Sequence, residues 1–178
     1  MPRLFVGLEI PETIVDALAA CRGGLPGARW VEPENYHVTL RFIGDVDETV
    51  ADDVFALLAE ARPRAPLEIV LDGLGSFGGD KPHAVFANVL ATEPLAGLQE
   101  ETERLVRRAG LAPERRKFKP HVTLGRLRHV PAQAVAEWIA ARAPFERLSF
   151  TAERVAVFSA REGTGGGPYV VEAAYPLG

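Results

Sequence analysis

Apolar and polar residues alternate in several short segments of this chain, and in others the apolar residues recur at helical spacing. The strand-like segments are residues 3–9, 36–43, 67–71, 83–89 and 121–124, and the apolar stretches 148–158 and 169–175 are expected to close the chain as a hairpin. Helices are predicted between residues 11 and 23 and over 47–62, 94–109 and 132–142. The cluster of Gly73, Gly75, Gly78 and Gly79 predicts a flexible loop.

Strands and helices do not alternate strictly, which is typical of an α+β protein rather than of a doubly wound parallel sheet. We therefore expect mainly antiparallel sheets arranged in two lobes. No segment has the composition of a linker between independent domains, so residues 1–178 are predicted to form a single bilobal domain. The length and the hydrophobic content of 47% suit one substantial core.

One tetrapeptide occurs twice, as His37-Val38-Thr39-Leu40 and as His121-Val122-Thr123-Leu124. The two copies lie 84 residues apart (121 − 37 = 84), which is far longer than the period of a solenoid repeat. Both copies fall in predicted strands, where side chains point alternately to opposite faces. Valine and leucine are therefore expected to face the core, while each histidine shares the other face with a threonine. A duplicated half-domain that brings two equivalent strands together explains the repeat.

Charge and composition narrow the classes of function. The formal net charge of −4 argues against a protein that coats long nucleic acid, but it permits recognition of one phosphate at a chain end. The single cysteine, Cys21, excludes an intramolecular disulfide and a cysteine-rich zinc site. No apolar run has the length of a signal peptide or a membrane span, so we predict a cytoplasmic protein without membrane partners. Nothing in the sequence requires more than a monomer.

Two facing imidazoles can act as a general base and a general acid on opposite sides of one reacting centre near neutral pH. Threonine hydroxyls beside them can donate hydrogen bonds to phosphoryl oxygens. The arrangement suits displacement at phosphorus. Metal binding is the main alternative for a pair of histidines, but zinc normally takes three or four protein ligands and each motif supplies only one imidazole. We predict no metal and no other cofactor.

Segments that flank the two motifs make the pattern more specific. They are Arg3-Leu4-Phe5-Val6, the approach Trp30-Val31-Glu32-Pro33-Glu34-Asn35-Tyr36, the continuation Arg41-Phe42-Ile43-Gly44, Phe118-Lys119-Pro120, Gly125-Arg126, Ser159 and residues 169–177. Together with the two His-x-Thr motifs, these segments resemble the 2H phosphoesterase superfamily. Within it they are most similar to the RNA 2′,3′-cyclic phosphodiesterase branch, historically called 2′-5′ RNA ligase. The resemblance covers nearly the whole chain.

The resemblance implies a bilobal fold with pseudo-twofold symmetry and a cleft that receives one motif from each lobe. It implies an enzyme that uses water to open 2′,3′-cyclic phosphates on RNA 3′ ends or nucleotides, leaving a 2′-phosphate. Carried onto this sequence, His37 protonates the departing 3′-oxygen and His121 activates water. Thr39 and Thr123 hold the non-bridging oxygens, and Arg126 helps to bind the phosphate.

Other candidate residues have structural alternatives. Strict alternation puts Arg126 on the face opposite His121, so its role requires a bend, a bulge or a strand end, whereas Arg41 has the parity to share a face with His37 and bind substrate. An exposed edge arginine is the alternative for Arg126, and a cation at the rim is the alternative for Arg41. Candidates for stacking on the terminal base, with core packing as their alternative, are Phe5, Phe42, Tyr36 and Phe118. The basic segment 115–119 either guides the RNA strand or is a solvated loop.

Three other functions stay open from the sequence. The same two histidines could join 2′-5′ RNA linkages, with an RNA 5′-hydroxyl in place of water as the attacking group, or run that joining reaction backward and cleave the linkage. The cleft could instead belong to a nucleotide-binding module without catalysis, which would bind AMP and turn over no cyclic phosphate. An interaction protein, the third alternative, predicts a cleft without affinity for anions.

Overall fold

The computed structural model describes residues 3–160 and 168–178. The strands in these residues are β1 (Arg3–Glu9), β2 (Ala28–Trp30), β3 (His37–Asp45), β4 (Leu67–Phe77), β5 (Ala84–Val89), β6 (His121–Leu127), β7 (Leu148–Ala152), β8 (Arg154–Ala160) and β9 (Tyr169–Pro176). The helices are α1 (Glu12–Ala19), α2 (Glu48–Ala59), α3 (Glu93–Arg108) and α4 (Ala132–Ala141), and a 3₁₀ turn covers Pro33–Asn35.

The described strands form two antiparallel sheets. The first sheet has the order β3-β1-β8-β9, and the second has the order β2-β6-β5-β4-β7. The first His-x-Thr motif lies on β3 and the second on β6, so each sheet carries one copy. The predicted α+β architecture with two mainly antiparallel lobes is confirmed.

The internal repeat is longer than the tetrapeptide. Each half contains the order strand, helix, strand, helix, formed by β1, α1, β3 and α2 in the first and by β5, α3, β6 and α4 in the second. The helices that follow the motif strands begin at Glu48 and Ala132, which are again 84 residues apart (132 − 48 = 84). Pairing agrees with this order, since β1 pairs antiparallel with β3 and β5 pairs antiparallel with β6. The two halves are therefore equivalent over four elements.

Helices connect the two sheets through one core. Helix α1 follows β1 of the first sheet but contacts β7 of the second, and α3 follows β5 of the second sheet but contacts β3 of the first. One buried apolar cluster accordingly includes Val38 and Leu40 of β3 together with Val122 and Leu124 of β6. Burial of each such side chain contributes about 1.5–3 kcal/mol to folding. The apolar residues of both motifs face the core, as the alternation predicts.

Local sequence signals explain where the helices begin. Helix α2 begins where Asp47 accepts a hydrogen bond from the backbone NH of Val50 at 2.9 Å, an N-cap contact. Helices α1 and α4 begin directly after Pro11 and Pro131, whose restricted φ suits a helix start. In the part of the chain that the structure describes, no helix combines the length and the apolar character needed to cross a membrane.

The glycine-rich segment that predicts a flexible loop is largely strand. Strand β4 continues through it to Phe77, and Gly75 pairs with Phe86 of β5. A Cβ at Gly75 would lie 2.8 Å from the ring of Phe86, so the missing side chain leaves the space that this ring occupies. Gly73 has a φ of 88° at a register shift in β4, so it marks a bulge within the strand.

The apolar stretch 148–158 forms two strands in different sheets. Its first part is β7, which pairs with β4 in the second sheet, and its second part belongs to β8, which pairs with β1 in the first. Only Glu153 separates the two strands. The predicted closing hairpin is confirmed for β8 and β9, and the glycine-rich connection over 161–167 lies outside the described residues.

Candidate active site

A pocket of about 280 Å³ lies between the two motif strands. Its wall contains Arg3, Phe5, His37, Thr39, Phe42, Ala160 and Tyr169 from the first sheet, Thr123 and Arg126 from the second, and Val31 and Asn35 from the connection before β3. His121 is not part of this wall but lies two residues before Thr123 on β6, and both side chains are half-buried. The structure thus brings the two motifs and Arg126 to one place.

Each motif histidine is held by the same backbone contact. Nδ1 of His37 lies 2.8 Å from the carbonyl oxygen of Asn35, and Nδ1 of His121 lies 2.6 Å from that of Lys119. Since a carbonyl oxygen can only accept, each Nδ1 donates its proton, and the neutral ring keeps Nε2 as the nitrogen with a lone pair. Nε2 can therefore take a proton from water or, once protonated, give one to a leaving oxygen.

Aromatic rings pack against both imidazoles. The rings at centroid distances of 4.5, 5.7 and 5.3 Å from His37 are those of Phe5, Phe158 and Tyr169. The rings at 4.8 and 5.2 Å from His121 are those of Phe77 and Phe86. These contacts restrict rotation of each imidazole and exclude water from it. The same packing therefore fixes the orientation of each ring and reduces the hydration of its protonated form.

A bulge in each motif strand decides which later side chains face the pocket. Residues 40 and 41 of β3 are both buried, and so are residues 124 and 125 of β6, at the places where each strand shifts register against its neighbour. Alternation therefore resumes one residue late in both strands. As a result, the side chains five residues after each histidine, Phe42 and Arg126, face the pocket. The bulge that a phosphate-binding role of Arg126 requires is present.

Arg41 lies on the opposite side of β3 from His37, so the prediction that the two share a face is wrong. The bulge turns its side chain toward α3, where it is only 7% exposed. Its Nε lies 2.5 Å from a carboxylate oxygen of Glu103 on α3, and its other nitrogens donate to the backbone carbonyls of Phe42 and Ala112. Arg41 therefore joins the first motif strand to α3 and to the segment that leads to β6, away from the pocket.

The aromatic residues that were candidates for base stacking differ in their solvent exposure. Phe42 is 46% exposed and presents its ring at the pocket. Phe5 is 3% exposed, and its ring is already packed between His37 and Phe158, which it stacks on at 4.9 Å. Tyr36 is buried in the core and Phe118 packs against it, so the core-packing alternative holds for both. The basic segment 115–119 contributes no side chain to the described pocket wall.

Several wall residues were not recognised from the sequence. Arg3 and Tyr169 belong to segments that resemble the superfamily, but neither was predicted to be a site residue; Arg3 stands at the start of β1, and Tyr169 reaches the pocket because β9 pairs beside β8. Asn35 is buried, and its side-chain oxygen accepts a hydrogen bond from the backbone NH of Tyr169 at 3.2 Å. Asn35 lies two residues before His37, and its place in the approach segment that resembles the superfamily was the available signal for it.

Burial lowers the pKa of both motif histidines. At His37, loss of hydration is the main cause, and the positive charges of His121 and Arg126 add to it, while the Asn35 carbonyl opposes it; the pKa falls from 6.5 to about 4. At His121, loss of hydration also lowers the pKa, opposed by the Lys119 carbonyl. Both imidazoles are therefore mainly neutral at pH 7 in the free protein. The two motifs meet at one pocket, since His37 and Thr39 of the first line it together with Thr123 of the second.

The donor set of the site suits an anion. Within residues 3–160 and 168–178, no three histidine, cysteine, aspartate or glutamate side chains gather as a group of metal ligands. The pocket wall instead supplies imidazole, hydroxyl and guanidinium groups. Guanidinium and hydroxyl groups are common partners of phosphate oxygens, because they donate hydrogen bonds and, for arginine, carry the opposite charge.

Comparison with known families agrees with the geometry of the site. The sequence profile described as the 2′-5′ RNA ligase superfamily matches residues 10–164, which include both motifs. The chain belongs to the 2′-5′ RNA ligase superfamily. The resemblance that the flanking segments indicate is thereby confirmed, and the duplicated His-x-Thr strands are placed within a known superfamily fold.

Related members of the 2′-5′ RNA ligase superfamily are named RNA 2′,3′-cyclic phosphodiesterase. The one from Aeropyrum pernix is 41% identical over 114 residues, which cover 61% of this chain and 64% of that relative. The one from Bacillus subtilis is 32% identical over 164 residues, 88% of this chain and 87% of the relative. A solved structure, TT0787 of Thermus thermophilus, aligns with a TM-score of 0.78 at 26% identity. The alignment covers 98% of this chain and 97% of the TT0787 chain.

Proposed function

We propose that this protein is an RNA 2′,3′-cyclic phosphodiesterase, which hydrolyses the cyclic phosphate at an RNA 3′ end or on a nucleotide to a 2′-phosphomonoester. The observation that carries the proposal is the equivalent setting of His37 and His121, each with Nδ1 fixed on a carbonyl and each followed by a threonine of the same pocket. The names of the curated relatives support the same activity. Because the pocket is built from both sheets, we also propose that residues 1–178 act as one bilobal domain.

In the proposed reaction, water attacks the phosphorus and the bond from phosphorus to the 3′-oxygen breaks. Nε2 of His121 takes the proton of the attacking water, and protonated Nε2 of His37 gives its proton to the departing 3′-oxygen. The products are a 2′-phosphate and a 3′-hydroxyl, so one water is consumed and nothing is oxidised or reduced. His121 ends protonated and His37 ends neutral, and exchange with solvent restores the starting state.

The remaining side chains hold the phosphate and the nucleoside. Thr39 and Thr123 donate hydrogen bonds to the non-bridging oxygens, and Arg126 pairs with their negative charge. The bound anion also raises the low pKa of His37, which favours the protonated ring that the acid role needs. Phe42 offers its exposed ring for stacking of the terminal base. A volume of about 280 Å³ lies near the small end for ligand sites and suits one terminal nucleotide.

The first test is hydrolysis of an RNA oligonucleotide that ends in a 2′,3′-cyclic phosphate, with EDTA in excess. We expect full activity and a product that migrates with a 2′-phosphate standard, since two imidazoles supply the acid and the base without a metal. Mass spectrometry checks the gain of one water, and chromatography against 2′- and 3′-phosphate standards identifies the product. Activity that disappears in EDTA and returns with a divalent cation would contradict the proposal, as would a 3′-phosphate product.

The same assay separates hydrolysis from the two nearest alternatives. With a second RNA that carries a 5′-hydroxyl, a ligase forms a longer chain joined by a 2′-5′ linkage, whereas a hydrolase leaves both chains at their original length. A binding module retains AMP in equilibrium dialysis but leaves every cyclic phosphate intact. We further propose that the protein works as a monomer, because one chain supplies both motifs to one site. Light scattering after size-exclusion chromatography measures its mass. Its proposed location is the cytoplasm, as the sequence predicts.

The lowered pKa values of both histidines predict a pH optimum for kcat/KM below 6.5, the ordinary histidine value. Catalysis needs one protonated and one neutral imidazole, and kcat/KM reports the free protein. As the pH falls below the lowered pKa of His121, the base becomes protonated, and as the pH rises above the lowered pKa of His37, the acid loses its proton. The value of kcat/KM should therefore already be declining at pH 7.

The dependence of kcat on pH should peak at a higher pH than that of kcat/KM, because the bound phosphate anion raises both pKa values in the complex. Initial rates from pH 4 to pH 9, at saturating and at low substrate, measure the two profiles. An optimum of kcat/KM at or above pH 7 would mean that the lowered histidine pKa values do not govern catalysis.

A further inference from the structure

The pocket wall has a charge opposite to that of the whole chain. The formal net charge of the protein is −4, yet the described wall contains two arginines, Arg3 and Arg126, and no aspartate or glutamate. Arg126 lies three residues after Thr123 on β6 and lines the same pocket as His37 and Thr39, so the proposed function assigns it to the reacting phosphate. Arg3 comes from the other sheet and has no part in the proposed proton transfers. Its place at the pocket suits a second anion.

Arg3 lies at the end of the pocket away from the reacting phosphate. Every second cross-strand pair of β1 and β3, taken along the strands, is Glu9 with His37, Gly7 with Thr39, Phe5 with Phe42 and Arg3 with Asp45. The four residue-to-residue steps from Gly7 to Arg3 span roughly 13 Å of strand. The exposed ring of Phe42 lies between these two ends, where the terminal base would stack. A nucleotide bound in this order leaves its 5′ side near Arg3.

We propose that Arg3 binds the phosphodiester on the 5′ side of the terminal nucleotide, so that the pocket prefers the end of an RNA strand to a free cyclic nucleotide. The inference rests on the proposed function, since it takes the cyclic phosphate to be held beside Thr39 and Thr123. A free nucleoside 2′,3′-cyclic phosphate carries a neutral 5′-hydroxyl at this position, whereas an RNA strand carries a diester anion. Of the two substrates, only the strand brings a negative charge to Arg3.

A change at Asp45 should affect binding of the RNA strand in the opposite direction to a change at Arg3. One carboxylate oxygen of Asp45 lies 3.3 Å from Nη2 of Arg3, and both side chains are partly exposed. The carboxylate orients the guanidinium, but it also repels an incoming phosphate. Removal of the arginine should therefore weaken binding of the RNA strand, and removal of the neighbouring negative charge should strengthen it.

The experiment compares kcat/KM for adenosine 2′,3′-cyclic phosphate with kcat/KM for the trinucleotide ApApA that ends in the same cyclic phosphate. For Arg3→Gln, we expect the ratio of trinucleotide to mononucleotide to fall about tenfold, the usual size of one hydrogen-bonded contact to a charged group. The slope of log kcat/KM for the trinucleotide against log salt should become shallower by about 0.7, because one phosphate contact to a single strand is lost. For Asp45→Asn, the ratio should rise.

Arg147→Gln is the matched control, because Arg147 forms a similar exposed pair with Asp72 at 3.1 Å and is not part of the pocket wall. It should leave the ratio as in the wild type. If the Arg3–Asp45 pair only fixes the ends of β1 and β3, both variants will affect the two substrates alike, and the inference is overturned. If the wild-type protein hydrolyses neither substrate, the proposed function fails together with the inference. Hydrolysis of both substrates with an unchanged ratio in Arg3→Gln overturns the inference alone.

Discussion

We expect His37→Ala and His121→Ala each to lower kcat for hydrolysis of a cyclic phosphate by about 10²- to 10⁴-fold, the usual contribution of a general acid or base. Each change removes a ring whose Nδ1 is anchored on a backbone carbonyl and whose Nε2 carries the proposed proton transfer. KM should change less than kcat, because Thr39, Thr123 and Arg126 still hold the phosphate. Initial rates on a cyclic-phosphate-ended oligonucleotide measure the effect.

The double variant should lose little more than the slower single variant, because the two groups act in one step. His129→Asn is the matched control. His129 is exposed and has a φ of 57°, which asparagine tolerates, so this change should leave the rate near that of the wild type. Circular dichroism verifies that each variant folds. Near wild-type activity in both alanine variants would show that the two histidines are not the acid and the base.

The pattern of the sequence was sufficient to predict most elements and the two strands that carry the chemistry. Alternation within each tetrapeptide places Val38, Leu40, Val122 and Leu124 in the core and leaves the histidines on the other face, as the structure has them. The segment from Gly73 to Gly79 could not be predicted in the same way. The place of Gly75 in a strand is explained by Phe86, whose ring occupies the space at Gly75 and lies in a different strand, and Gly78 and Gly79 follow the end of β4.

The site departs from its prediction where a strand departs from strict alternation. A one-residue bulge after each motif moves Phe42 and Arg126 to the pocket and moves Arg41 away from it. A bulge is a property of two paired strands, and a single strand gives no local sign of it. The bulges in β3 and β6 nevertheless lie at the same distance from their histidines, as expected for an internal repeat. Comparison of the two halves could have suggested that residues 42 and 126 occupy equivalent positions.

The contact between Arg41 and Glu103 is also invisible from the sequence, because 62 residues separate the two side chains. It leads to the second large prediction. We expect Arg41→Met and Glu103→Leu each to lower the free energy of unfolding by about 3 kcal/mol, because each leaves a buried charge without its partner. This loss is at the low end of the usual range for breaking a buried ion pair, because the Glu103 side chain is 17% exposed and keeps part of its hydration. Urea unfolding measures the change as a lower midpoint at constant slope.

The double variant Arg41→Met/Glu103→Leu separates loss of the ion pair from loss of packing. With both charges removed, about half of the lost stability should return, because no unpaired charge remains, while the carbonyls of Phe42 and Ala112 and the NH of Glu114 still lack these side-chain partners. Arg154→Met is the control, since Arg154 pairs with Glu9 at similar distances of 2.6 and 2.8 Å but both side chains are substantially exposed. That change should cost about 1 kcal/mol or less. Equal small losses at Arg41 and Arg154 would mean that the buried pair contributes no more to stability than an exposed one.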